Sequence, residues 1–192
     1  MSSSIGIGFI YNESSNIEDK LNKFIDFFLL NDTKIQKIVY STDKNGDDWH
    51  VKNVDNYSSH EIANILIQNY FGNLTIKGSI VSKRNINIDM SIHQINQKEF
   101  GFLLEIDIDQ LFTVGNKEEL GICTENIVHL CKDIYYKTQY QYAYCDHEVG
   151  IEYNWNEFQS LNEQVYSISI IPQRNDFFIN LAPWEIDGLT NR

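Results

Sequence analysis

The sequence predicts a single domain of the α+β class, in which about three helices pack on an antiparallel sheet with a central meander. The length of 192 residues suits one ordinary domain. Three consecutive segments alternate between apolar and polar residues, and three others repeat apolar residues at helical spacing. No linker or low-complexity tract divides the sequence, so we interpret residues 1–192 as one domain.

The strand predictions depend on this alternation. Segments 74–80, 86–92 and 100–108 place apolar residues at even-numbered positions and mostly polar residues at odd-numbered ones. Short links join these segments, which is typical of an antiparallel meander with one buried and one solvated face. Further strands are expected over residues 4–12, 34–42, 139–145, 150–155, 165–171 and 176–182.

The helix predictions combine apolar periodicity with start and stop signals. Helices are expected over residues 16–30, 58–72 and 117–137. A serine three residues before a glutamate is a capping box, which satisfies two free amides at a helix start. This spacing occurs twice, as Ser15 with Glu18 and as Ser58 with Glu61. Gly72 is expected to end the second helix.

Residues 145–148 read Cys-Asp-His-Glu, four residue types that bind metals or carry protons. Adjacent residues on a strand point to opposite faces, so these side chains cannot converge on one ion without a bulge. A zinc site would also need further cysteines or histidines at close spacing. We therefore predict a strand end with a solvated acidic turn, and neither a metal, a cofactor nor a catalytic residue. The tyrosines at 140, 142 and 144 would share one face of that strand.

The charge is strongly acidic and unevenly distributed. The net charge is −12, and residues 99–192 hold 16 acidic and 5 basic residues, a net of −11. Binding to nucleic acid or to an anionic membrane requires the opposite sign, so both are disfavoured. A basic protein partner fits, because complementary charge speeds the encounter of two proteins.

Other sequence features indicate a soluble cytoplasmic protein. The three cysteines, an odd number, are atypical of a disulfide framework and favour a reducing compartment. The first residues lack the basic region and apolar run of a signal peptide, and no segment has the apolar length to span a bilayer. The oligomeric state stays open, with a monomer favoured.

The region 99–157 is rich in acidic residues, and from residue 144 onward they are interleaved with tyrosine and tryptophan, a composition that suits a protein-binding surface. Three of these acids are expected on the solvated face of the last meander strand, namely Glu105, Asp107 and Asp109. The complete set of predicted contacts adds Asp146, Glu148 and Glu152 as charged residues, with Tyr153 and Trp155 as anchors.

The acidic charge, the two capped helices near the start, the late stretch "YAYCDHEVGIEYNW" (142–155) and the close "INLAPWEIDG" (179–188) form one pattern over essentially the whole chain. In this pattern the chain resembles the immunity proteins of bacterial polymorphic toxin systems. The resemblance implies a cytoplasmic protein that binds a cognate toxin domain and blocks its active site or an adjacent surface. It supplies no catalytic or binding positions that could be transferred. A nuclease toxin would offer a basic substrate site, which an acidic inhibitor can occupy by mimicking phosphate charge.

Two other functions stay open at this point. One is a small enzyme whose site assembles from scattered residues, such as Cys145 with His147 or His129. The other is a structural subunit that buries an apolar edge in a homo-oligomer. A concave pocket with a perturbed cysteine or histidine would favour the first, and a concentration-dependent mass would favour the second.

Overall fold

The computed structural model describes residues 3–12, 17–31, 33–54 and 56–192. The strands within these ranges are β1 (Ser4–Asn12), β2 (Lys34–Ser41), β3 (Trp49–Asn53), β4 (Phe71–Gly78), β5 (Ile86–Gln94), β6 (Glu99–Asp107), β7 (Tyr142–His147), β8 (Ile168–Pro172) and β9 (Phe177–Leu181). The helices are α1 (Ile17–Leu29), α2 (Ser59–Gln68), α3 (Ile108–Leu111), α4 (Lys117–Thr138) and α5 (Trp155–Ser160). The nine described strands form one antiparallel sheet in the order β3-β2-β4-β5-β6-β1-β7-β8-β9, which confirms the predicted α+β class.

The main core lies on one face of the sheet, under the long helices α1, α2 and α4. Phe9 of β1 and Phe102 of β6 both meet Phe24 of α1, with ring centroids 5.4 and 5.0 Å apart. Such aromatic contacts add to the free energy gained by burying the rings. The Tyr11 hydroxyl donates a hydrogen bond to Thr138 Oγ1 at 2.9 Å, so this buried polar group has a partner where α4 ends.

The second face of the sheet is covered over β1, β7, β8 and the start of β6 by residues 148–166. Tyr142 and Tyr144 point to this side and form a smaller core with Ile10 and Tyr166. The Tyr142 hydroxyl donates to the backbone carbonyl of Tyr153 at 2.6 Å, and the Tyr142 ring stacks on Phe158 with centroids 4.1 Å apart. These contacts hold the covering segment against the sheet.

The meander is confirmed as β4, β5 and β6, with its even-numbered apolar residues in the main core. The second capping box is confirmed as well, since the Ser58 side chain accepts from the Glu61 amide and Glu61 reaches back to Ser58. The first box includes Ser15, which lies outside the described residues. The prediction that Gly72 ends the second helix is wrong. Helix α2 ends at Gln68, and Gly72 lies in β4, where a Cβ would meet the Leu66 side chain at 2.6 Å.

The expected strand 150–155 is not formed. Asn154 and Glu157 make a capping box that starts the short helix α5 instead. Tyr140 also differs from the prediction, because β7 begins only at Tyr142. Its side chain lies in the main core and donates to the Cys131 carbonyl at 2.9 Å.

None of the helices in the described part of the chain combines the length and the apolar composition that crossing a bilayer requires.

Candidate partner-binding surface

The second face of the sheet lacks the covering segment over β2 to β5 and over the end of β6 that carries Glu105 and Asp107, and we call this region the open half-face. The strand register aligns one row of side chains across it. Lys37 of β2 lies opposite Thr75 of β4, Thr75 opposite Asp89 of β5, and Asp89 opposite Glu105 of β6. Of the four, Lys37, Asp89 and Glu105 are exposed. The row therefore presents two adjacent carboxylates to solvent.

Asp89 and Glu105 are the central electrostatic feature of the open half-face. Asp89 accepts a hydrogen bond from Thr75 Oγ1 at 2.6 Å, which fixes its carboxylate beside Glu105. Partial burial of the Glu105 carboxyl at the sheet surface raises its pKa above the ordinary value, and the charge of Asp89 raises that pKa further. Like charges directly opposite each other on a sheet are destabilising. The folded protein therefore maintains a concentrated negative charge at this point.

A polar groove of about 390 Å³ continues from this pair toward the end of β6. Lys37, Asp107 and Gln110 line it together with Asp89 and Glu105. The Gln110 amide donates to Asp107 Oδ2 at 3.1 Å and so orients that carboxylate. The predicted contacts Glu105 and Asp107 thus belong to one acidic groove.

Asp109 is not on the meander strand, and this part of the prediction is wrong. The strand ends at Asp107, and residues 108–111 form helix α3. In the sequence, the alternation of apolar and polar residues extends through residue 108, because Ile108 is buried at the start of α3. The exposed Asp109 lies just beyond the groove, and its backbone carbonyl accepts from Arg84 at 3.2 Å.

Asp146 is half-buried and binds within the protein. Its Oδ2 accepts from the Ser167 backbone amide at 3.0 Å and from Trp184 Nε1 at 3.4 Å. Its Oδ1 accepts from the His147 amide at 2.8 Å. The carboxylate therefore joins β7 to the start of β8 and to the C-terminal segment.

The other four candidates divide between the surface and the smaller core. Glu148 and Glu152 are exposed on the covering segment. Tyr153 and Trp155 are half-buried and pack against the Tyr142 and Tyr166 cluster. The covering segment borders the open half-face, because Val149 lies over Gly6, and Gly6 is the β1 neighbour of Glu105.

Local sequence patterns do not predict two features of the open half-face. The first is Asp89, which falls on the odd-numbered solvated face and which the hairpin from β5 to β6 places opposite Glu105. The second is a patch formed by Trp49, Val51 and Phe71, whose side chains are 48%, 68% and 46% exposed. Its signal was weak, because β3 spans only five residues.

The Cys-Asp-His-Glu stretch does not form a convergent site. Cys145 is fully buried in the main core, whereas Asp146 lies on the second face and Glu148 is exposed. Burial raises the pKa of the Cys145 thiol well above its usual value and that of Cys123 to about 12. Within the described ranges, no group of three or more histidine, cysteine, aspartate or glutamate side chains is arranged to hold a metal ion.

Comparison with known proteins shows the family to which this chain belongs. No curated protein sequence matches this chain. Among solved structures, it is similar to a T6SS protein of Pseudomonas aeruginosa, with 8% sequence identity, a TM-score of 0.39 and coverage of 76% of this chain. The chain spans 43% of the length of that protein. The family described as Immunity protein 64 matches residues 1–192, the whole chain. The chain therefore belongs to the immunity protein 64 family.

Proposed function

We propose that this protein is a stoichiometric inhibitor that binds a cognate toxin domain through its acidic open half-face. The family supports the immunity role, and the observation that carries the choice of surface is Asp89 facing Glu105 on the uncovered part of the sheet. Glu105 and Asp107 are the central charged contacts. Asp109 follows them in α3, and Glu148 and Glu152 are exposed on the bordering segment, so in this proposal all three extend the negative field.

The physical basis is charge complementarity. A lysine or arginine of the toxin that reaches the Asp89–Glu105 pair relieves the repulsion between two carboxylates. The repulsion that destabilises the free inhibitor is absent in the complex, and this difference contributes favourably to the binding free energy. The surrounding charge also steers a basic partner toward the same face. A nuclease-like toxin, whose substrate site is basic, suits this surface best. Nucleic acid and anionic membranes do not, because the net charge is −12.

The remaining predicted residues have supporting positions in this proposal. Asp146 holds the C-terminal segment, while Tyr153 and Trp155 pack the segment that borders the open half-face. The enzyme alternative loses its leading nucleophile, because a buried thiol with a raised pKa does not form the reactive thiolate. We place the inhibitor in the cytoplasm of the toxin-producing cell, as a monomer before it binds.

The first experiment uses the tagged protein as bait in a lysate of the source organism at low and moderate salt. A partner recovered in both conditions, or only at low salt, is identified by mass spectrometry and its toxin domain is purified. Light scattering then gives the stoichiometry, and the toxin's own assay gives the inhibition. We expect a 1:1 complex that abolishes toxin activity. A purified toxin that stays fully active in the presence of excess inhibitor would refute the proposed function.

A triple variant tests the surface. Glu105→Gln, Asp107→Asn and Asp109→Asn together should slow association and flatten its salt dependence. The matched control is Asp26→Asn, Glu125→Gln and Asp133→Asn, which removes the same residue types from exposed positions on the helices that cover the other face. Equal association rates for the two triples would show that net charge alone matters, and would contradict the assignment of this face.

A further inference from the structure

The patch of Trp49, Val51 and Phe71 lies on the same open half-face as the acidic pair, but at its outer edge. Trp49 and Phe71 both lie opposite Ser41, one on each neighbouring strand. Because the serine is small, the two rings meet above it, with centroids 6.1 Å apart and an angle of 29° between their planes. Val51 continues the apolar surface along β3 and lies opposite the half-buried Val39.

The two aromatic rings are held in place before any partner binds. The Trp49 indole N–H donates to the Gly46 carbonyl at 2.6 Å, which fixes the ring against the loop that precedes β3. Asp43 organises that loop, since its carboxylate accepts from the backbone amides of Asn45 and Asp48 at 2.8 and 2.6 Å. Rigid aromatic side chains lose little conformational freedom on binding, and for this reason they dominate many protein interfaces.

The position of the patch relative to the acidic pair indicates what its partner must present. Phe71 and Thr75 lie on β4, four residues or roughly 13 Å apart. Asp89 lies opposite Thr75 on the next strand, which gives about 14 Å between the patch and the acidic pair. The net charge of −12 disfavours a second copy of this chain as the occupant. A basic protein that also presents an apolar side chain is complementary to both parts of the surface.

From this geometry we infer that the patch is the apolar anchor site for the toxin. The toxin surface that occupies it presents an apolar or aromatic side chain over Trp49, Val51 and Phe71, and a lysine or arginine about 14 Å away over Asp89 and Glu105. This inference rests on the proposed function and adds the part of the interface that sets the lifetime of the complex. The acidic pair governs encounter, and the apolar patch governs dissociation.

The test measures binding kinetics with the purified toxin domain recovered by the bait. Phe71→Ala should raise the dissociation rate about 10- to 100-fold and leave the salt dependence of association unchanged. Its control is Phe178→Ala, because Phe178 has a similar exposure of 50% and lies at the opposite edge of the sheet. That control should change the dissociation rate less than about threefold.

A second pair of variants distinguishes the loss of a toxin contact from a disturbance of the fold by Phe71→Ala. Val51→Gln and Val114→Gln change the same residue type at nearly equal exposure, 68% and 67%. Only Val51→Gln should accelerate dissociation of the toxin complex. If the wild-type protein binds the toxin and all four variants dissociate at the wild-type rate, the anchor site is refuted and toxin binding stands. If the wild-type protein does not bind the toxin, the proposed function and this inference both fail.

Discussion

The ring of Tyr144 lies directly over Gly8 on the neighbouring strand. A Cβ at Gly8 would be 2.2 Å from Cζ of that ring, far inside contact distance. The Tyr144 hydroxyl donates to the Gly150 carbonyl at 2.6 Å, and its ring stacks on Tyr166 with centroids 4.1 Å apart. Because Gly8 has no side chain, the Tyr144 ring can lie over β1 and bind residues 148–166 above it. The open half-face lies next to this covered region.

Gly8→Ala should destabilise the protein by about 1–3 kcal/mol, because the Tyr144 ring must move out of its packed position. The free energy of unfolding in urea measures this. The control is Gly121→Ala in α4, where a Cβ would meet no atom within 4 Å. That change should stabilise the helix by about 0.5–1 kcal/mol. A Gly8→Ala variant as stable as the wild type would show that the covering segment is loosely held.

Asp146→Ala should destabilise the protein by about 1–3 kcal/mol, because the Ser167 amide and the Trp184 indole lose their acceptor. Urea unfolding followed by tryptophan fluorescence measures this loss of stability. Glu148→Ala, two residues away and exposed, should stay within about 0.5 kcal/mol of the wild type. If the two variants are equally stable, Asp146 is not the structural link described above.

The three cysteines should not react with a thiol reagent in the native protein at pH 8. Cys123, Cys131 and Cys145 are buried, and burial raises the pKa of each thiol, so the reactive thiolate is scarce. Colour development with a disulfide reagent should be negligible in the folded protein and reach three equivalents after unfolding in urea. Rapid native reaction of one cysteine would revive the enzyme alternative.

The sequence predicted the meander and the long helices because their periodic patterns reflect burial on one side. Where side chains are buried on both faces of an element, or only by contacts with distant segments, the periodic pattern does not predict the element. Residues 150–155 resemble a strand in sequence because Ile151, Tyr153 and Trp155 alternate with polar residues. In the structure, Ile151 and Tyr153 pack on the tyrosine cluster from an irregular segment, and Trp155 packs on it from the start of α5. Strand β3 was missed because five mostly exposed residues show no apolar periodicity.

The candidate surface was predicted in part for the same reason. Glu105 and Asp107 follow from alternation along one strand, and the structure places both in one groove. The pairing of Asp89 with Glu105, the internal role of Asp146 and the meeting of Trp49 with Phe71 all depend on contacts between distant segments. Such contacts are set by sheet register and chain folding, which local patterns do not encode.

Glu105 should make the stability of the free protein depend on pH. Its pKa is raised in the folded state, so the folded protein retains a proton at a pH where the unfolded chain has released it. The stabilisation from this proton is fully present below the ordinary value of 4.5 and is lost as pH rises through the pKa of the folded state. Glu105→Gln should therefore match the wild type near pH 4 and exceed its stability at pH 7, by about 0.2–1 kcal/mol.

The Asp89→Asn background tests the cause of this shift. Without the charge of Asp89, only burial raises the pKa of Glu105, so the advantage of Glu105→Gln at pH 7 should shrink. Unfolding in urea at pH 4 and pH 7 for the wild type, both single variants and the double variant completes the cycle. A gain from Glu105→Gln that is equal at both pH values would contradict an electrostatic origin. A pH-dependent gain that Asp89→Asn leaves unchanged would assign the shift to burial alone, and would remove the repulsion that a basic toxin is proposed to relieve.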